Sequence, residues 1–129
     1  MGKRINVPTG TELGDTVGYS RAVRIGNRIE VSGTAAVDDQ GKPAGEDGYT
    51  QTKFILGKIE KALKVAGGSL EDVIRTRMFV TDLDHVEGVG RAHGEFFGEI
   101  KPASALFVIS ALALPGLLVE IEASAVVDD

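Results

Sequence analysis

The chain has 129 residues, 43% of them hydrophobic and 26% charged, with a formal net charge of −5 and no cysteine. That describes one domain (1–129), large enough to bury a core without metal or disulfide staples, and it excludes thiolate chemistry and cysteine metal sites. The acidic balance disfavours nucleic acid as a partner, because Arg21, Arg24, Arg28, Arg75, Arg77 and Arg91 are scattered and form no basic stripe.

The opening "MGKRINVPTG" lacks the apolar segment of a signal peptide, so a cytoplasmic location is expected. Residues 1–18 read as irregular. "YSRAVRIG" (Tyr19 to Gly26) reads as a strand, Gly26-Asn27 as a hairpin turn, and "RIEVSGTAA" (Arg28 to Ala36) as the partner strand. Asp38 to Gly48 is a polar loop by composition. A helix is predicted over Tyr49 to Ala66, with Ile55, Ile59, Ala62, Leu63 and Ala66 on its apolar face and Gly67-Gly68 as its stop.

Ser69 to Asp72, "SLED", reads as an N-cap-like turn, and "VIRTRMFVTD" (Val73 to Asp82) as a strand. Asp82 or Asp84 then caps a second helix ending at Phe97, with Val86, Val89, His93 and Phe96 as its apolar line. The charge-free run from Ala103 to Val119 is nearly long enough to span a membrane, but Pro115-Gly116 breaks it. It reads instead as two buried strands joined by a short turn, Ala103 to Ala111 and Leu117 to Val127.

The order β-β-α-β-α-β-β points to a two-layer α+β fold with two helices on one face of the sheet. Strand 103–111 is apolar on both faces, so the uncovered face predicts a homo-oligomer.

Chemistry-bearing residues are few. His85 and His93 have no metal-ligand spacing, and no metal motif is present. His93 falls on the apolar helix face, as a hydrogen-bonded core residue or, second, a pocket residue; His85 reads as exposed. Ser32 in "VSGT" ends a strand without a nucleophile elbow or a triad partner, so a structural serine outweighs a nucleophile. In "LVEIEASAVV", Glu120 and Glu122 share one strand face. They either meet solvent or Arg75 and Arg77, or else line a pocket where burial raises a carboxyl pKa for acid–base work.

Four stretches together, "GYSRAVRIGNRIEVSGTAAVD", "SLEDVIRTRMFVTDLD", "GEFFGEIKPASAL" and "LVEIEASAVV", resemble the YjgF/RidA/L-PSP family of reactive-intermediate deaminases from about Gly18 to Val127. The resemblance implies a chorismate-mutase-like fold of the bacillar type, a homotrimer, and a small-molecule cleft at each subunit interface. It implies hydrolysis of 2-imino acids or their enamines to 2-keto acids and ammonia, with no cofactor. In active members an arginine directly after a Pro-Ala pair clamps the substrate carboxylate. A glutamate opening an E-I-E strand holds or activates water, and a tyrosine and a Ser-Gly pair help form the cleft.

Here Tyr19, Ser32-Gly33 and Glu120 match that pattern, whereas Ser104 follows Pro102-Ala103 where the arginine would stand. Gly90 replaces a common asparagine, and His93 a common aromatic. The chain therefore resembles an arginine-lacking branch. Loss of a bidentate arginine costs a few kcal/mol of carboxylate binding. Arg21 is the candidate replacement cation, and Glu122 the expected partner of Arg75 or Arg77. Three readings follow: an imine or enamine hydrolase using Glu120, a non-catalytic metabolite-binding trimer, and an interaction trimer with a vestigial cleft. An endoribonuclease role ranks below these on charge.

Overall fold

The computed structural model describes residues 2–128. Along the chain lie β1 (Arg4–Val7), α1 (Glu12–Val17), β2 (Ala22–Ile25), β3 (Arg28–Ala35), α2 (Gly48–Val65), β4 (Val73–Val80), α3 (Val86–Phe97), β5 (Ala103–Val108) and β6 (Val119–Val126). The strands form one six-stranded sheet in the order β1-β2-β3-β6-β4-β5. Every pair is antiparallel except β4 with β5, which run parallel and are joined by the α3 crossover, as parallel neighbours require. This is the α+β architecture expected, enlarged at its amino end. Residues 4–7 and 12–17 are ordered elements rather than irregular chain.

Local chemistry explains the boundaries. Gly26, at φ 61°, closes the tight β2–β3 turn, so Ile25 faces Arg28. The Asp47 side chain accepts from the Thr50 N–H at 2.7 Å and starts α2. Gly67, at φ 88°, ends it, with the Gly68 N–H donating to Leu63 O at 2.7 Å. The Asp72 carboxylate accepts from the Ser69 N–H at 2.8 Å, fixing the turn into β4. The Asp82 side chain accepts from the Asp84 N–H at 2.8 Å in the turn before α3.

Strand alternation sends Val119, Ile121, Ala123 and Ala125 of β6 into one core with Ile29 and Val31 of β3 and Ile55, Leu56, Ile59 and Leu63 of α2. From α3 the buried apolar residues are Val89, Ala92 and Phe97. Phe97, not Phe96, fills the core, which shifts the predicted apolar line; Phe96 is half-buried. His85 is half-buried rather than exposed, because its backbone and Cβ pack at the start of α2 beside Gly48.

The charge-free run departs furthest from expectation. β5 stops at Val108 and is the edge of the sheet, with Phe107 46% and Val108 49% exposed. Residues 109–116 form a largely exposed loop, so the buried pair of strands across a short turn is replaced by an open edge, a long connection and the buried β6. No helix among the described residues is long and apolar enough to cross a membrane.

Gln51, fully buried in α2, ties that loop down. Its amide donates to Gly45 O (3.0 Å) and Gly116 O (2.8 Å), and its oxygen accepts from the Leu118 N–H (2.9 Å). Gln51→Leu strands three backbone groups and is expected to lower stability by about 2 kcal/mol, read as a lower denaturation midpoint at unchanged slope.

Candidate functional site

The helices α2 and α3 cover one face of the sheet; the other face carries Glu120, Glu122, Arg77, Phe79 and Phe107. On this open face five of the residues singled out in the sequence converge. β3 pairs with β6 at Val31↔Ala123 and resumes at Thr34↔Ile121, so Ser32 and Gly33 sit in a bulge. A bulge bends the strand and re-aims its side chains. The Ser32 hydroxyl turns back to donate to Ser20 O at 2.7 Å, which fixes the segment after Tyr19. The Arg21 guanidinium donates to Gly33 O through Nη2 and stands 5.9 Å from the Tyr19 ring centroid.

Glu120 lies directly against Gly33. A Cβ at that position would overlap Glu120 Oε2 and come within 3.1 Å of its Cδ. The bulge glycine is therefore the space the carboxylate occupies. Burial pushes the Glu120 carboxyl above the usual glutamate range; the positive charge of Arg21 opposes this and the negative charge of Glu122 adds to it. Arg21 is lowered from its ordinary value by burial, and its Nε is buried without a hydrogen-bond partner. A desolvated carboxylate beside a cation with a spare donor can hold a water and take its proton.

Glu122 finds Arg77 across the strand pair at 3.9 Å, each side chain about two-fifths exposed (41% and 42%). An exposed pair at that distance contributes little stability, and the Glu122 charge also acts on Glu120, raising its pKa.

Lys58 of α2 belongs to the same neighbourhood, although no motif in the sequence singles it out. Its Nζ donates to Ala35 O (3.3 Å) and Val37 O (3.4 Å) at the end of β3. Burial lowers its pKa, and the like charge of Arg21 lowers it further.

Ser104 and His93 do not join this group. They meet at the β4–β5 edge, on the helix side of the sheet, through Thr76, another residue that no sequence motif singles out. Thr76 Oγ1 lies 2.9 Å from His93 Nε2 and 2.8 Å from Ser104 Oγ. The His93 ring also packs on Phe97, centroids 4.7 Å apart, and burial lowers its pKa, which keeps it neutral at pH 7. In register, Glu120 pairs with Phe79 whereas Ser104 pairs with Thr76, so the two groups occupy opposite faces of one sheet. Among the described residues no cluster of His, Asp and Glu could hold a metal ion.

Comparison with known proteins agrees with this frame. The family profile described as Endoribonuclease L-PSP matches residues 9–127. An uncharacterized protein of Streptomyces coelicolor is 34% identical over 119 residues, covering 92% of this chain and 89% of that one. A RutC family protein of Pyrococcus abyssi is 35% identical over 108 residues, 83% of this chain and 84% of its own. The crystal structure of Rv2704 from Mycobacterium tuberculosis, a member of the YjgF/YER057c/UK114 family, superposes with a TM-score of 0.89 at 46% identity, covering 97% of this chain and 100% of that one. RidA from an Antarctic Psychrobacter superposes at 0.80 with 28% identity, covering 95% and 94%. With the profile spanning nearly the whole chain and relatives above 30% identity over most of it, this protein belongs to the YjgF/L-PSP family.

Proposed function

We propose that the chain assembles into a homo-oligomer, a trimer by family resemblance, whose interface clefts hydrolyse a small imine or enamine without a cofactor. The observation that carries this reading is the half-buried Glu120, its pKa raised, held in the Gly33 gap beside Arg21. In the reaction Glu120 takes a proton from water as the oxygen attacks the imine carbon, and the C=N electron pair moves to nitrogen. Return of the proton to nitrogen and collapse of the carbinolamine release ammonia and leave a carbonyl compound. Arg21, with its spare Nε–H, holds the attacking water beside Glu120. Because Glu120 and Ser104 stand on opposite faces, a ligand touching both takes them from two copies of the chain. That is the physical case for an interface cleft.

The test is ammonia release from 2-iminopropanoate generated in situ by an amino-acid oxidase. The wild type should exceed the uncatalysed rate, and Glu120→Ala should return it to background. Glu120 must be ionised to accept the proton. The rate should therefore fall as pH drops, with its acid limb above the ordinary glutamate range because the folded-state pKa is raised. An acid limb at or below that range would remove Glu120 from the role.

A second reading, a trimer that binds a metabolite without turning it over, is favoured by one observation: Ser104 is neutral where active relatives are expected to carry a cation. Wild type that binds ligand yet releases no ammonia above background decides for it.

A further inference from the structure

Thr76 is fully buried, and one hydrogen bond from His93 would satisfy its hydroxyl. The second bond, to Ser104, extends the line from α3 across the β4–β5 pair to an exposed side chain. All three groups are neutral. The nearby Lys101 ammonium is turned to Gly98 O at 2.8 Å, and Arg75 pairs in register with Ala103, not Ser104. One turn before His93 on the same helix, Gly90 is exposed and a Cβ there would meet nothing within 4 Å.

We propose that Ser104, Thr76 and His93 form a neutral recognition site for an uncharged carbonyl group of the ligand, a carboxamide above all, with Ser104 in contact and Thr76 and His93 positioning its hydroxyl. The substrate of the proposed cleft is then an imine or enamine bearing an amide rather than a carboxylate, a statement that rests on the reading above. Hydrogen-bond bookkeeping singles out the amide. With Nε2 as acceptor, the line runs Ser104 to Thr76 to His93 and leaves the Ser104 lone pairs facing out. With Nε2–H as donor, it runs the other way and leaves the Ser104 hydrogen facing out. A carboxamide has both an N–H and a C=O and satisfies either direction. A carboxylate only accepts, and it would give up its hydration to a site without a cation.

Binding of pyruvamide and of pyruvate, measured by calorimetry on the assembled protein, tests this. The wild type should bind pyruvamide roughly tenfold tighter than pyruvate. Ser104→Ala and Thr76→Val should abolish that preference, Thr76→Ser should restore it, and pyruvamide should shift the His93 imidazole nitrogen resonances. Equal or tighter binding of pyruvate, no binding of pyruvamide, or a preference that survives Thr76→Val overturns the inference. Ammonia release is scored separately. Pyruvamide preference with no hydrolysis of any imine sinks the hydrolase reading alone, and hydrolysis of 2-iminopropanoate without that preference sinks this inference alone.

Discussion

Gly33→Ala is expected to lower imine hydrolysis by about 10²-fold while leaving the folded state intact, the scale on which a displacement of roughly 1 Å acts on a positioned group. The new methyl meets the far end of a side chain, Glu120 Oε2 and Cδ, and not backbone. The protein can therefore relieve the clash by rotating the carboxylate away. Gly33 has no positive φ among the described residues, so alanine imposes no backbone strain there. The variant should melt close to the wild-type temperature and lose turnover in the ammonia assay. Equal activity in wild type and Gly33→Ala would show that the position of the Glu120 carboxylate does not matter, and the hydrolytic role would fall with it. The effect should show in kcat more than in KM, since the water and not the ligand loses its holder.

Phe97→Ala carries the largest expected loss of stability, about 3–5 kcal/mol. Phe97 is 2% exposed and is the largest fully buried side chain at the carboxyl end of α3. Its removal opens a cavity between α3 and the sheet and takes away the ring on which His93 packs. Chemical denaturation reads the first effect as a lower midpoint. A loss below about 1 kcal/mol would mean that the neighbours collapse into the space, contrary to the packing of a close-filled core. The two substitutions separate the parts of the molecule: one removes position without stability, the other stability from a residue in the core on the helix side of the sheet, opposite the Glu120 face.

The elements with strong periodicity were legible in the sequence. The apolar row Ile55, Ile59, Leu63 in α2 and the alternation of β6 both survive in the structure, because each buries one face against the core. β1 was not legible, since Arg4, Ile5 and Asn6 lie exposed at the sheet edge and only Val7 is buried, leaving no alternation to read. α1 has six residues and buries only Gly14, too short for a helical period. β5 misled for the opposite reason: an uncharged run reads as interior, whereas in a single chain it is the exposed edge. At the candidate site, Ser32 and Glu120 stood out from their strand positions and were matched by motif resemblance, Tyr19 and Gly33 came from the resemblance, and Arg21 from its place two residues after Tyr19. Thr76 and Lys58 emerged from neither. A buried strand threonine is commonplace, and its partners lie 17 and 28 residues away. Lys58 reaches carbonyls at the end of β3 and just beyond it, 23 and 21 residues upstream, a distance no local pattern records.

Glu120 and Ser104 stand on opposite faces of one sheet, so in the proposed interface cleft two defective chains would repair each other. In a ring where every cleft borrows one face from each neighbour, a chain lacking Glu120 still offers an intact β4–β5 edge, and a chain altered at Ser104 still offers an intact Glu120. Co-folding the two restores some clefts with both groups whole, whereas either chain alone has none. Damage to this protein would then be partly recessive between alleles: two separately disabled copies in one cell retain function that neither has by itself.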